Sequence, residues 1–207
     1  MELSILQKIL RESAPGPQPT FTVLHLLKAI ILIGREGPLG RKSLSYKLTL
    51  GEGVVRTLIE RLRISQLISE DRRGCSLTRK GLDLHSTLIG RISRPVSIGA
   101  GMLSLDKWNV AILVHDAAKK IGAGLEQRDA AVRAGATGAN TIIYSEGKFI
   151  IPRGSQNCAA DSPNGIWDRL KSTLLPNEGD LIIISGGPSC NIAEDGVLAA
   201  AWTLIAF

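Results

Sequence analysis

Apolar residues recur at helical spacing between residues 54 and 62, and this pattern predicts a helix with one buried face. Side chains three or four positions apart lie on the same side of an α-helix. The apolar positions here are Val54, Val55, Leu58, Ile59 and Leu62. Leu44 and Leu48 predict a shorter helix upstream, and Thr49-Leu50-Gly51 separates the two helices because glycine interrupts helical structure. Segments 67–69 and 75–77 flank a charged turn at 70–74, which predicts a small β-hairpin.

The whole segment from Gly40 to Thr78 resembles a winged helix-turn-helix. The resemblance covers roughly residues 20–94 and includes Leu77-Thr78-Arg79-Lys80-Gly81, which begins the next helix. It departs at Ile64-Ser65-Gln66, where winged helices commonly carry a charged residue and a glycine. In that fold the second helix enters the DNA major groove and the hairpin meets the backbone or minor groove. The candidate DNA-binding residues are Arg41, Lys42, Ser43, Arg56, Thr57, Arg61, Arg72 and Arg73.

The flanking segments complete an N-terminal half. Residues 1–19 are predicted to form a short helix and a proline-rich linker, because closely spaced prolines cannot continue a helix. A helix from Phe21 to Ile33 is expected, with Thr20 as its N-cap and Gly34 at its end. Residues 79–91 predict a last helix, which either carries dimer contacts or packs on its own domain. The winged domain is therefore predicted to span residues 20–94.

Charge is distributed unevenly between the two halves of the chain. Residues 1–94 carry 16 Lys and Arg against 8 Asp and Glu, a net charge of +8. Residues 95–207 carry 9 against 11, a net charge of −2. This asymmetry is expected when one domain faces a polyphosphate and the other does not. Double-stranded DNA is therefore the expected partner of the first half.

The second half, residues 95–207, alternates buried strands with helices. Runs of apolar residues predict strands, and amphipathic stretches ended by glycine or proline predict helices. The predicted strands are Trp108–Val114, Thr141–Tyr144, Lys148–Ile151 and Leu181–Ile184, with an edge strand in Val96–Leu105. The predicted helices are Leu125–Ala134, Ile166–Leu175 and Asn191–Ile205. The fold class expected is α+β / α/β, with a winged helix-turn-helix followed by an α/β sandwich around a mixed sheet.

Two glycine-rich turns before helices are candidate ligand sites in this second domain. Glycine lets backbone N–H groups approach a ligand, and a helix N-terminus favours an anion. If both turns lie at the same sheet edge, they would face each other across a crevice and bind a small-molecule effector. The alternative is that each turn has a purely geometric role. The candidate ligand-binding residues are Gly122, Gly124, Gln127, Arg128, Asp129, Ser185, Gly186, Gly187, Ser189 and Asn191.

Composition argues against several other classes of protein. The three cysteines are far apart, without a CxxC pair, and the three histidines are isolated, so no metal or cofactor is expected. The longest apolar run, residues 23–33, contains His25 and Lys28 and is too short to span a bilayer. Residues 1–10 lack the features of a secretion signal. A cytoplasmic protein with no membrane association is expected.

Catalysis is the rival interpretation of the second domain. Ser185, Ser189, Cys190 and Cys158 are available nucleophiles, and His115-Asp116 offers a base. No GxSxG elbow or P-loop accompanies them, so an enzyme is not the prediction. Two alternatives stay open, a small-molecule enzyme with an appended winged helix and a winged-helix protein-docking module that does not bind DNA.

Over its whole length the chain resembles archaeal proteins that join a winged helix to a C-terminal α/β domain of unknown function. The segments that carry this resemblance are LGEGVVRTLIERL, GLEQRDAAVRAGATGANTIIY and GDLIIISGGPS. The resemblance implies a transcriptional regulator, and it transfers no ligand. The prediction is a DNA-binding regulator that forms a homodimer, whose second domain, residues 95–207, senses a small molecule or mediates dimerisation.

Overall fold

The computed structural model describes residues 3–11, 20–99 and 103–206. It divides the chain into two compact units, Met1–Ile89 and Gly90–Phe207, so the division precedes the predicted boundary at Arg94–Pro95. The predicted proline-rich linker lies outside the described residues, as does part of the edge strand expected within Val96–Leu105.

Five helices and a hairpin are described in the first unit. They are α1 (Ser4–Arg11), α2 (Val23–Glu36), α3 (Arg41–Leu48), α4 (Glu52–Ile64), β1 (Ile68–Asp71), β2 (Gly74–Leu77) and α5 (Arg79–Ile89). The strands β1 and β2 pair antiparallel, and Leu39 forms a bridge to Cys75 of β2. The buried positions of α4 are Val55, Leu58, Ile59 and Leu62, four of the five apolar positions that predicted it.

Both predicted ends of α2 were wrong. The N-cap is Thr22 instead of Thr20, because the backbone N–H of Thr22 donates to His25 Nδ1 at 3.0 Å in a capping box. The helix continues past Gly34 and ends at Gly37, whose φ of 81° places it in the left-handed region. Gly34 instead allows α2 and α5 to pack closely, because a Cβ there would overlap the ring of His85 on α5.

The second unit contains a five-stranded sheet with helices on both faces. Its elements are β3 (Val96–Ser97), β4 (Trp108–Val114), α6 (Leu125–Arg133), β5 (Gly138–Ser145), β6 (Lys148–Ile150), α7 (Cys158–Asp161), α8 (Ile166–Leu174), β7 (Leu181–Gly187) and α9 (Cys190–Ile205). A 3-10 turn at Ala118–Lys120 follows β4. Helices α6 and α9 pack together against β4, β5 and β7. Trp167, Leu170 and Leu174 of α8 pack with Ile182 and Ile184 of β7 in a separate apolar cluster.

The sheet is antiparallel throughout and not mixed as predicted. The strand order is β3-β4-β7-β5-β6, and each neighbouring pair is antiparallel. Strands β4 and β5, which α6 connects, run in the same direction, but β7 lies between them and opposes both. This is a split β-α-β arrangement. The alternation of strands and helices indicated the common direction of β4 and β5, whereas the insertion of β7 depends on contacts between distant segments.

Candidate functional site

The turn between α3 and α4 adopts its tight geometry through a threonine. Thr49 occupies the left-handed region at φ 56°, whereas Gly51 has φ −61° and serves as the N-cap of α4. The hydroxyl of Ser45 donates to the carbonyl oxygen of Leu50 at 2.5 Å, which closes the turn. Gly51 is therefore not the residue that makes the sharp bend, contrary to the prediction of a glycine turn.

Helix α4 exposes Arg56 and Thr57 opposite its buried stripe. The hydroxyl of Thr57 lies 3.4 Å from the carbonyl oxygen of Gly53, one turn earlier in the same helix. Arg56 makes no hydrogen bond or salt bridge among the described residues, but after the hydrogen bond from Arg63 its charge also helps to lower the pKa of Glu60, one turn later. Both side chains therefore lie on the exposed face of the helix that the sequence predicted.

Arg61 has an intramolecular role that the sequence did not indicate. Its guanidinium donates to the carbonyl oxygens of Ile9 at 2.9 Å and Leu10 at 3.0 Å, at the carboxyl end of α1. The same group lies over the ring of Phe21, with Cζ 5.6 Å from the centroid. Arg61 is thus engaged within the first unit, by contacts to α1 and Phe21.

The hairpin tip carries one paired and one unpaired arginine. Arg73 donates to Asp71 Oδ2 at 2.9 Å and remains exposed. The hydrogen bond from the Arg73 side chain is the main reason that the pKa of Asp71 lies below its usual value. Arg72 is exposed and forms no ion pair within the described part of the chain. Gly74, at φ 128°, lies so close to the backbone of Leu39 that a Cβ would overlap it.

The amino end of α3 contributes the remaining predicted residues. Lys42 is exposed and Ser43 is half-buried. Arg41 lies 3.4 Å from Glu52 at the start of α4, so the amino ends of the two helices are adjacent. Sequence reasoning missed Tyr46, which is 86% exposed one helical turn after Lys42. Its spacing from Lys42 was the available signal, since residues four apart share a helix face.

Positive charge on this surface comes mainly from α3, which carries three cations and no carboxylate. The two arginines of the hairpin are balanced by Glu70 and Asp71. Helix α4 also carries Glu52 and Glu60, and the hydrogen bond from Arg63 lowers the pKa of Glu60. The first unit, which ends at Ile89, has 14 Lys and Arg against 8 Asp and Glu, a net charge of +6. The second unit has 11 Lys and Arg against 11 Asp and Glu, a net charge of zero. The first unit therefore carries the entire net charge of the chain.

The two glycine-rich turns of the second unit do not face each other. Gln127 at the start of α6 donates to Thr203 Oγ1 near the end of α9, at 2.7 Å. Gly135 after the other end of α6 lies beside Ile192 at the start of α9. Helices α6 and α9 are therefore antiparallel, and the turns lie at opposite ends of the pair. The predicted crevice between them is wrong because it assumed parallel strands, whose carboxyl ends share one edge.

Several predicted ligand residues have packing roles. Ser185 is fully buried, and its hydroxyl donates to the carbonyl oxygen of Gly138 at 3.0 Å. A Cβ at Gly186 would meet Leu105 at 2.6 Å, and one at Gly187 would meet Ile192 at 2.9 Å. Gln127, also buried, joins two helices. The strand was predicted to end at Ile184, but β7 continues to Gly187, so Ser185, Gly186 and Gly187 belong to the sheet and not to a turn. They are enclosed by protein instead of lining a site.

The other predicted ligand residues are distributed between the two separate turns. Gly124 has φ 77° at the start of α6 and abuts Thr141, and Gly122 is exposed. Arg128 and Asp129 form an exposed ion pair at 3.1 Å. At the other turn, Ser189 Oγ accepts from the backbone N–H of Ile192 at 3.3 Å as the N-cap of α9. Asn191 is exposed there. No common ligand position joins these two groups.

The base and the nucleophiles considered for catalysis also lie apart. His115 follows Val114, which pairs with Leu181 at the start of β7. Ser185 lies towards the other end of that strand, and Cys190 begins the helix that follows it. His115 pairs instead with a residue that the sequence did not single out. Its Nδ1 lies 3.3 Å from Oδ2 of Asp180, which is 3% exposed. No local sequence signal was available, because the two residues are 65 positions apart.

Comparisons with known proteins match both units. Residues 23–83 match the family described as PH0730-like, N-terminal domain, and residues 105–204 match the domain of unknown function DUF4443. A solved structure, the hypothetical protein PH0730 from Pyrococcus horikoshii OT3, is similar at 27% identity with a TM-score of 0.71. The similarity covers 89% of this chain and 92% of that one. These matches fit a two-domain archaeal protein. No curated protein matches the chain.

Across the described residues, none of the helices has the length and apolar character needed to cross a bilayer. Within residues 3–11, 20–99 and 103–206, no group of three or more His, Cys, Asp or Glu side chains is arranged to hold a metal ion.

Proposed function

We propose that this protein is a DNA-binding transcriptional regulator whose first unit is a winged helix-turn-helix. The observation that carries the proposal is that Lys42, Arg56 and Arg72 are exposed and make no hydrogen bond or salt bridge within the described residues. They belong to α3, α4 and the hairpin of a unit with net charge +6. These are the three elements that a winged helix presents to a duplex. Unpaired surface cations favour a polyphosphate partner, because no internal ion pair must be broken on binding.

Each element has a separate role in this proposal. Arg56 and Thr57 on α4 read base edges in the major groove, where arginine pairs with guanine and threonine contacts either hydrogen-bonding groups or the thymine methyl. Lys42 and Ser43 on α3 and Arg72 on the hairpin contact phosphates or the minor groove. Arg41 and Arg73 exchange their carboxylate partners for phosphate when DNA binds. Such exposed ion pairs contribute about 0–1 kcal/mol, so the exchange has a small cost.

A homodimer through α5 is the second part of the proposal. Leu82 and Ile89 are 51% and 50% exposed, and they lie two helical turns apart on one side of α5. A second copy that covers this face would bring two copies of α4 into one assembly. Two linked half-sites bind far more tightly than one, because the second contact becomes intramolecular. The second unit then supplies regulation or further dimer contacts.

The test compares two triple variants of the full-length protein that remove equal charge. The first is Lys42→Ala, Arg56→Ala and Arg72→Ala in the first unit. The second is Lys119→Ala, Arg133→Ala and Arg153→Ala, exposed cations of the second unit. Binding of labelled duplex DNA is measured by fluorescence anisotropy at several salt concentrations, with circular dichroism as the check of folding. A phosphate contact changes the slope of log affinity against log salt by about 0.9, so only the first variant should flatten it.

Two results would contradict the proposal. One is that the unaltered protein shows no salt-dependent retention of DNA even at low ionic strength. The other is that both triple variants weaken binding equally, which would mean that net charge and not this surface attracts DNA. A sedimentation measurement of Leu82→Glu separately tests the dimer, which should dissociate. A monomeric unaltered protein would overturn the dimer alone.

A further inference from the structure

A cleft of about 290 Å³ lies in the second unit beside the end of β4. Val114, Ala117 and Leu204 form apolar walls, and each is buried. Gly90 and Ile205 also line the cleft, together with four charged or polar residues. These four are Arg91, His115, Asp116 and Lys120. The volume is close to the lower end of the range for small-molecule sites, roughly 300–1,000 Å³, so an occupant of a few non-hydrogen atoms fits.

His115 is held in one orientation at this cleft. Its Nδ1 lies 3.3 Å from Oδ2 of Asp180. Asp180 is itself fixed, because its carboxylate accepts from the backbone N–H groups of Asp116 at 3.0 Å and Asn177 at 2.9 Å. A histidine whose Nδ1 faces a buried carboxylate presents Nε2 to a further partner. Nε2 is therefore the atom of His115 available to an occupant of the cleft.

Arg91 and Lys120 are fixed at the cleft by the carboxyl end of α9. A guanidinium nitrogen of Arg91 donates to the carbonyl oxygen of Ile205 at 2.5 Å, and Lys120 Nζ donates to that of Leu204 at 3.2 Å. These contacts satisfy terminal carbonyl groups that lack an intrahelical donor. A guanidinium has five N–H groups and an ammonium has three, so both side chains retain donors for a carboxylate ligand.

The balance of charge determines which class of ligand the cleft accepts. Arg91 and Lys120 are opposed by the carboxylates of Asp116 and Asp180, and the end of α9 adds about half a negative charge. A dianion such as phosphate would therefore meet no net positive charge. A ligand with one negative and one positive group preserves the balance, with its carboxylate near Arg91 and Lys120 and its amine near Asp116.

We propose that this cleft binds a small zwitterion, a free α-amino acid being the chemical class that fits. In this proposal the carboxylate of Asp116 binds the amine of the ligand. Asp116 is exposed. Its φ of 49° places the backbone in the left-handed region, which sets the direction of its Cα–Cβ bond. The apolar walls accommodate an aliphatic side chain of the ligand. The proposal does not depend on DNA binding, since all of these residues belong to the second unit.

The experiment screens the full-length protein, without DNA, by thermal shift and then isothermal titration calorimetry. The probes are the common amino acids one at a time, together with acetate, butylamine and inorganic phosphate. One or more amino acids should stabilise the protein and titrate with one site per chain, and the three simple ions should not. Asp116→Asn and Lys120→Ala should each raise the dissociation constant about tenfold or more, the usual effect of removing a hydrogen bond to a charged group.

Lys119→Ala is the matched control, because Lys119 is exposed beside Lys120 but does not line the cleft. It should leave the dissociation constant unchanged. Asparagine tolerates the left-handed region well, so Asp116→Asn removes the charge with little effect on the fold. The proposal is overturned if no amino acid binds, if phosphate or acetate binds as tightly, or if Asp116→Asn binds like the unaltered protein. Loss of DNA binding in a separate assay has no bearing on any of these results.

Discussion

The guanidinium of Arg61 donates to the carbonyl oxygen of Ile9 at 2.9 Å, which joins the last turn of α4 to the end of α1. A second bond reaches Leu10, and the ring of Phe21 lies beneath the charge. The carboxyl end of a helix carries partial negative charge, and a cation there is stabilising. Arg61 and Arg56 lie on the same helix, yet one stabilises the unit internally and the other faces outward.

This difference predicts opposite effects for two substitutions on α4. Arg61→Ala should lower the free energy of unfolding by about 1–3 kcal/mol, because two charged hydrogen bonds and a ring contact are lost. Arg56→Ala should change stability by no more than about 0.5 kcal/mol, but should weaken specific DNA binding by about 1–3 kcal/mol. Urea denaturation and anisotropy measure the two quantities. Equal stability of the two variants would contradict the role assigned to Arg61.

Glycine packing at α5 gives a second prediction. Gly81 is buried, and a Cβ there would overlap the carbonyl oxygen of Leu67, which is backbone and cannot move aside. Gly81→Ala should therefore destabilise the protein by about 1–3 kcal/mol. Gly53 is a helical glycine of α4 with open space around it. Gly53→Ala should stabilise the protein by about 0.5–1 kcal/mol, since alanine is the better helix former. Thermal denaturation of both variants distinguishes the effects, and a Gly81→Ala variant as stable as the unaltered protein would contradict the close packing of Gly81 on Leu67.

The elements that the sequence predicted best are those whose signal is local. Strand β4 was predicted as Trp108–Val114 and has those bounds. A strand buried on both faces gives a nearly continuous apolar run, and this run marks both of its ends. The apolar stripe of α4 was equally clear. The ends of α2 were not, since Thr22 and Thr20 are both plausible caps. His25 decides between them through a hydrogen bond that a propensity argument does not weigh.

The candidate sites depended more heavily on tertiary contacts. The exposed position of Arg56 follows from helical periodicity. The hydrogen bonds of Arg61 could not be predicted in this way, because their acceptors in α1 lie 51 and 52 positions away in the sequence. The two glycine-rich turns were assigned to one edge because parallel strands were assumed. Strand β7 lies between β4 and β5 and places those turns apart. The cleft at His115 draws on Arg91, Asp180 and α9, so no single segment indicated it.

Independent folding of the first unit is a third prediction. The chain divides between Ile89 and Gly90, and Ile92 already bridges to Val114 of the second unit. A fragment of residues 1–89 should be helical by circular dichroism and should unfold cooperatively. It should bind DNA more weakly than the full-length protein if the second unit contributes to dimerisation. An unfolded fragment would contradict the division, and equal affinity would argue against a contribution of the second unit.

Acid should destabilise the first unit through His85. Its ring packs against Gly34, and its Nε2 is buried without a hydrogen-bond partner in the described structure. Burial is the main cause that lowers the pKa of His85 below its ordinary value of 6.5, and the charge of Arg35 adds to this effect. The folded state therefore binds this proton less readily than the unfolded state. Stability should be complete above about pH 6.5 and decrease as the pH falls through the lowered pKa of the folded state.

Comparison of the unaltered protein with His85→Leu tests this expectation. Leucine cannot be protonated, so the difference in unfolding free energy between the two proteins should shift in favour of the variant as the pH falls from about 7.5 to 5. The carboxylates whose pKa values are lowered, such as Asp71 and Glu60, act in a more acidic range. They are present in both proteins, so their effect cancels from the difference. A difference that stays constant over this interval would mean that His85 is protonated equally in the folded and unfolded states, contrary to its packing between α2 and α5.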